Sequence, residues 1–155
     1  MNPQLSIELS MVNEVELIYR TRYAGERPMV STSASADLLL RPHLEPIMET
    51  YEVFYVLMLD RGNRAKSIYK ASQGGLHGTV ADPKLIFAAA LKCLASGIVL
   101  CHNHPSGQLR PSEEDIRLTR KLVEGGRLLD IVVQDHLILT RSGYYSFADN
   151  GMMGA

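Results

Sequence analysis

The sequence holds only two cysteines, Cys93 and Cys101, in 155 residues. That is too few for the disulfide framework that staples small exported folds. Its longest near-apolar runs, at 53–60 and 85–91, fall well short of the roughly 18 residues that a membrane span needs. The opening MNPQLSIELS has neither the basic flank nor the apolar stretch of a secretion signal. These absences point to a cytoplasmic setting and to no membrane partner. Strong charge of one sign is also missing: 16 Lys and Arg against 17 Asp and Glu leave a net charge of −1. DNA could therefore be met only through a local basic face, not through an overall field. The chain has no CxxC, HExxH, Walker A lysine loop or GxGxxG, and no repeat or low-complexity tract divides it. What remains, 46% hydrophobic and 21% charged, is the profile of one domain, expected over residues 1–155.

What is present reads as strands and helices in alternation. Residues Val12 to Tyr19 alternate well enough for a strand with Val15, Leu17 and Tyr19 on one face. Residues 35–44 suggest a short helix that stumbles at Pro42. The run EVFYVLMLD, from Glu52 to Asp60, is rich in strand formers, and the turn at 61–63 leads into a second strand over about 65–71. GGLHGTV, at 74–80, suggests a short exposed strand whose glycines would let another backbone approach. Asp82 before Pro83 starts a helix, and GIVLC, at 97–101, reads as a central strand buried on both faces. Pro111 and Ser112 open another helix, with Ile116, Thr119 and Val123 inward and Gly125 and Gly126 as its stop. Strands at 131–140 and 143–147 complete an α/β pattern with a mixed sheet between helices.

His102 and His104 stand two residues apart where the central strand runs out. In an extended chain both imidazoles face one side, about 6.5 Å apart at the backbone, which suits one metal ion. A third ligand must come from elsewhere. Asp115 lies in the first turn of the next helix, where the dipole favours its ionised form. Two imidazoles and one carboxylate leave the fourth position of a tetrahedral zinc open, as in catalytic sites. Cys101 is the rival ligand, but strand alternation turns it away from His102. Ser112 and Asp115 fit a variant capping box equally well, in which both serve only the helix N-terminus.

The spacing His102-x-His104, then Pro105, Ser106 and Gly107, then Ser112-x-x-Asp115, with a glutamate on an earlier strand, resembles the JAMM (MPN-plus) metalloprotease motif. More narrowly, HNHPSG, PSEEDIRLTRKLVEGGRLLDI, DHLI and GYYSFAD resemble the RadC family of bacterial proteins over about residues 34–151. The resemblance implies an α/β domain of the JAMM/MPN-type (cytidine-deaminase-like) fold, a mixed β-sheet flanked by helices. It implies zinc as cofactor, His102, His104 and Asp115 as its ligands, Glu52 as general base, and Ser112 as the group that steadies the oxyanion. Full-length members carry an N-terminal helix-hairpin-helix segment. The 51 residues before Glu52 show no such pattern, so a short, stand-alone form is expected.

The chemistry this implies is hydrolysis of a peptide or isopeptide bond by a metal-activated water. Glu52 would take the water's proton and pass it to the leaving amine, while Ser112 would help to carry the charge on the carbonyl oxygen. Capping and oxyanion duty would then compete for one hydroxyl. A peptide or protein substrate would add along the 74–80 edge. Two other readings stand beside this one. The first is a DNA-repair-associated binding module with a mainly structural metal and Arg117, Arg120 and Lys121 as its contact. The second is a metal-dependent nuclease, to which a single ion is poorly suited. Asp135 and His136 are adjacent on a strand, so at most one can face the metal. His136 is expected as a buried, hydrogen-bonded residue or as partner to a ligand, and His77 as a surface histidine, with a substrate contact as the alternative.

Overall fold

The computed structural model describes residues 13, 15, 16, 18–74 and 80–154. Helix α1 (Ser33–Leu44) begins at Thr32, whose hydroxyl and that of Ser35 cap each other's backbone N–H groups. It runs through Pro42, which falls in its last turn, where little of the hydrogen-bond ladder is forfeited. A 3-10 turn over Glu45–Ile47 follows. The remaining elements are β1 (Val53–Leu59), β2 (Ala65–Gln73), α2 (Pro83–Lys92), β3 (Gly97–Asn103), α3 (Glu113–Leu128), β4 (Val132–Thr140) and β5 (Gly143–Ser146). Asp60 shapes the hairpin between β1 and β2: its Oδ1 accepts from the N–H groups of Gly62 and Arg64 at 2.9 and 3.0 Å. Asn63 supplies the left-handed residue there, at φ 59°.

The five strands form one sheet in the order β2-β1-β3-β4-β5. β3 and β4 pair in parallel and every other pair is antiparallel. Alternation along β3 divides the core. Ile98 and Leu100 pack with Ile86 and Ala90 of α2 and Leu122 of α3, while Val99 and Cys101 pack with Ala36, Leu40 and Leu44 of α1. The fold is thus an α/β sandwich with α1 on one face of a mixed sheet and α2 and α3 on the other. In the β3–α3–β4 crossover the chain returns from α3 to the amino end of β4, so α3 begins at the carboxyl end of β3. β1 runs against β3, so the start of β1 lies at that same end: Phe54 pairs with His102.

Two expectations are corrected, and a third falls largely outside the described residues. Among the described residues no strand forms at 12–19: 13, 15, 16, 18 and 19 are irregular, and 12, 14 and 17 lie outside the described residues. Val15 is 86% exposed. Tyr19 rests on the core, with the Lys66 ammonium over its ring at 4.8 Å. The expected strand at 74–80 falls largely outside the described residues, which exclude 75–79 and His77; β2 instead runs on to Gln73. Gly125 and Gly126 do not stop α3, which continues to Leu128. Their smallness serves packing: a Cβ on Gly126 would run into the Ile131 carbonyl oxygen, and one on Gly125 would lie 2.8 Å from the Phe87 ring.

Candidate metal centre

Because β3 is extended to its last residue, His102 and His104 do project to one side, and their Nε2 atoms lie 2.9 Å apart. His104 donates from Nδ1 to the Gln108 carbonyl at 2.7 Å, which turns its Nε2 lone pair inward. Two ring nitrogens this close need a proton or a cation between them. α3 starts just beyond, and its first turn carries Asp115 to 3.2 Å from His102 Nε2 (Oδ1) and 3.4 Å from His104 Nε2 (Oδ2). Glu52 approaches from the head of β1, its Oε1 at 3.6 and 3.9 Å from the same two nitrogens. The structure therefore brings together His102, His104, Asp115 and Glu52, and Ser112 lines the same groove, so all five residues that the sequence singled out converge. Glu52, His102 and His104 each offer a ligand atom within 4.8 Å of the others.

The donor set fits a metal. Atoms held by one tetrahedral zinc at about 2.0–2.1 Å stand roughly 3.3 Å apart, and the imidazole and Asp115 separations bracket that value. The charges are arranged likewise. Burial raises the Asp115 pKa, but the neighbouring His102 and His104 rings and the Ser112 N–H together hold it well below the usual carboxylate range. Burial works to lower His104, and is outweighed by Asp115, the Gln108 carbonyl and Glu52, so its pKa is raised. Cys101 lies on the other face, in the α1 core, and its thiol is pushed upward chiefly by burial and then by the charge of Asp37, which keeps it protonated and unsuited to ligation.

Ser112 and Asp115 do form the capping box: Asp115 N–H donates to Ser112 Oγ at 3.1 Å, and Ser112 N–H donates to Asp115 Oδ2 at 2.8 Å. The expected competition at Ser112 disappears, because the cap uses a lone pair of the hydroxyl. Its proton, with no acceptor among the described residues, stays available to the site. The four groups sit in a groove of about 780 Å³ walled by Phe54, Val80, Pro105, Arg110 and Leu118.

One positioning residue escaped the sequence reading. Asn103, between the two histidines, faces the other side of β3 and is fully buried. Its Oδ1 accepts from Val53 N–H at 2.8 Å, and its Nδ2 donates to the carbonyls of Met48 and Tyr51 at 3.0 and 2.9 Å. It thereby ties the chain on both sides of Glu52 to the strand that carries the histidines. The only signal was a polar residue in a run otherwise apolar on that face. Asp135 and His136 separate as expected of neighbours: Asp135 accepts from Ser146 Oγ at 2.6 Å and Ala148 N–H at 2.9 Å, while His136 reaches His102. Arg117, Arg120 and Lys121 are exposed on α3.

A family model described as a RadC-like JAB domain matches residues 30–152. The chain belongs to the RadC family. This RadC-like domain is 40% identical to a UPF0758 protein of Flavobacterium johnsoniae over 146 residues, 93% of this chain and 63% of that relative. It is 35% identical to a UPF0758 protein of Porphyromonas gingivalis over 154 residues, 99% and 67% of the two chains. A UPF0758 protein of Alkaliphilus metalliredigens is 42% identical over 102 residues, 66% of this chain and 44% of the relative. The RadC-like domain thus spans about two thirds or less of the length of these relatives. Among the described residues no helix is long and apolar enough to cross a membrane.

Proposed function

We propose that this RadC-like domain is a zinc-dependent hydrolase of peptide or isopeptide bonds. The observation that carries the proposal is the convergence of two imidazole nitrogens and two carboxylates in an open groove. When bound there, zinc would lower the pKa of a water to about 7 and polarise a substrate carbonyl. His102, His104 and Asp115 are its ligands in this reading, since Asp115 stands closer to both ring nitrogens than Glu52 does. Glu52, set back and 14% exposed, receives the proton of the attacking water and hands it to the leaving amine. Ser112 donates its free hydroxyl proton to the oxygen that gains charge. Docking of an extended chain along 74–80 belongs to the same proposal, supported by Val80 and Ala81 on the groove wall.

The test is metal content by mass spectrometry on untagged protein, wild type beside His104→Ala, followed by cleavage assays on peptide and isopeptide substrates. About one zinc per chain, lost in His104→Ala, is expected, with Glu52→Gln keeping the metal and losing cleavage. Absence of metal after zinc is resupplied would overturn the reading. DNA affinity that survives Glu52→Gln, shows a salt slope and vanishes on charge reversal of Arg117, Arg120 and Lys121 would favour a binding module instead.

A further inference from the structure

We propose that Thr119 and His136 are positioning residues that hold His102 as its Nδ1–H tautomer, so that the Nε2 lone pair faces the metal point. The inference rests on the metal reading above. Its starting point is Thr119, buried on α3, whose Oγ1 lies 2.6 Å from the Asp115 carbonyl oxygen and 2.6 Å from His136 Nδ1. A carbonyl only accepts, and a hydroxyl has one proton. Two oxygens 2.6 Å apart require that proton between them, so Thr119 donates to Asp115 and a Thr119 lone pair takes the Nδ1–H of His136. His136 is fully buried, stacked on Phe147 at 4.7 Å and tilted against Phe54 at 5.4 Å. Enclosed by these apolar rings and with its Nδ1–H given to Thr119, the neutral imidazole carries a lone pair on Nε2. That lone pair is 2.8 Å from His102 Nδ1, which must therefore supply the proton.

The consequence is geometric. The one proton of neutral His102 is used on the side away from the groove, and Nε2 is left to a cation. The opposite register, with Thr119 donating to His136, would put a proton on His102 Nε2, at the metal point. It would also leave the Thr119 and Asp115 oxygens in contact with no proton between them. The relay begins on one ligand, His102 on β3, and ends on the backbone of another, Asp115 on α3, so it couples the two elements whose spacing defines the site. Its placement depends on an irregularity in β4. The register with β3 shifts between Ile98 and Val99, whose partners are Val133 and Asp135. The extra residue, Gln134, turns His136 to the same side as Val133 and thus toward His102.

The test combines tautomer and affinity. Long-range proton–nitrogen NMR of uniformly labelled protein, metal-free and with zinc added, reads which ring nitrogen of His136 carries hydrogen. Proton on Nδ1 and a bare Nε2 are expected in both states; a proton on Nε2 in the wild type overturns the relay. Zinc dissociation constants from competition with a chromophoric chelator are then compared for Thr119→Val, Thr119→Ser, His136→Leu and His136→Gln. Thr119→Val and His136→Leu should bind zinc about 10- to 100-fold more weakly. Thr119→Ser keeps the hydroxyl and His136→Gln keeps an acceptor toward His102, so both should stay within about threefold of wild type. Equal affinity across all four, in variants shown to be folded by circular dichroism, refutes the proposal. If His136→Leu fails to fold, the conservative isostere Thr119→Val and the wild-type tautomer still decide. Should the wild type bind no zinc, the hydrolase reading falls, while the His136 spectrum in the metal-free protein continues to test the relay.

Discussion

Replacing Asn103 with Ala removes three hydrogen bonds at once, the buried ones to Val53 N–H and the Met48 carbonyl and a partly buried one to the Tyr51 carbonyl. Each is worth about 1 kcal/mol net, and a buried backbone group left unpartnered costs on the order of 1–3 kcal/mol. Water entering the space of the lost amide would recover part of this, so the expected cost is about 3–4 kcal/mol. For a domain of this size, at roughly 2–4 °C per kcal/mol, the Tm falls by roughly 6–16 °C. The second effect is local. Val53 is the residue after Glu52, and without its anchor the carboxylate loses its set position against His102 and His104. Thermal unfolding followed by circular dichroism, with zinc stoichiometry beside it, measures both. Asn103→Ala should lose stability by this amount and yet retain metal below its Tm, because both imidazoles and Asp115 are held by other contacts. A cost under about 1 kcal/mol would refute the argument that Asn103 ties β1 to β3.

Ser112→Gly separates the two uses of that hydroxyl: stability should change by only a few tenths of a kcal/mol, since Gly is a tolerable cap, whereas turnover should fall about 10²- to 10³-fold. Denaturant titration and a cleavage assay report the two, and unchanged turnover would leave Ser112 a cap alone. Gly126→Ala should destabilise by about 1–3 kcal/mol in denaturant unfolding despite the better helix propensity of Ala, because backbone oxygen blocks the new Cβ. Gly125→Ala, which meets only the movable Phe87 ring, should cost under about 1 kcal/mol; equal costs would contradict the packing account. In the metal-free protein His104 has a raised pKa. Its stabilisation is therefore fully present below the unfolded value near 6.5 and is lost as pH rises through the folded one. The stability deficit of His104→Gln in chelator should accordingly be larger at about pH 5.5 than at about pH 8.5, and a pH-independent deficit would rule this out.

The candidate metal ligands were legible because local rules suffice for them. Alternation in an extended strand puts residues two apart on one side, and capping chemistry puts Asp115 in the first turn of its helix. Glu52 was not legible from local pattern: a glutamate at a strand head resembles many others, and only the family resemblance singled it out. Asn103 and Thr119 were hidden for the opposite reason, since their partners lie 50 and 17 residues away. The glycine pair at 125–126 misled, because the same residue that ends helices also admits a close neighbour, and sequence does not show the neighbour.

By itself, then, the sequence determined the order of strands and helices from α1 onward, the apolar faces that build a two-sided core, and the side to which His102 and His104 point. These follow from periods of two and 3.6 residues and from caps, all properties of short segments. Tertiary structure alone decided the rest. Antiparallel pairing of β1 with β3 brought Glu52 to the end of the sheet where the histidines emerge. The extra residue in β4 chose His136 over Asp135 as the neighbour of His102. Both depend on register between strands far apart in the chain, where a shift of one residue exchanges the faces of a sheet and leaves local propensity unchanged.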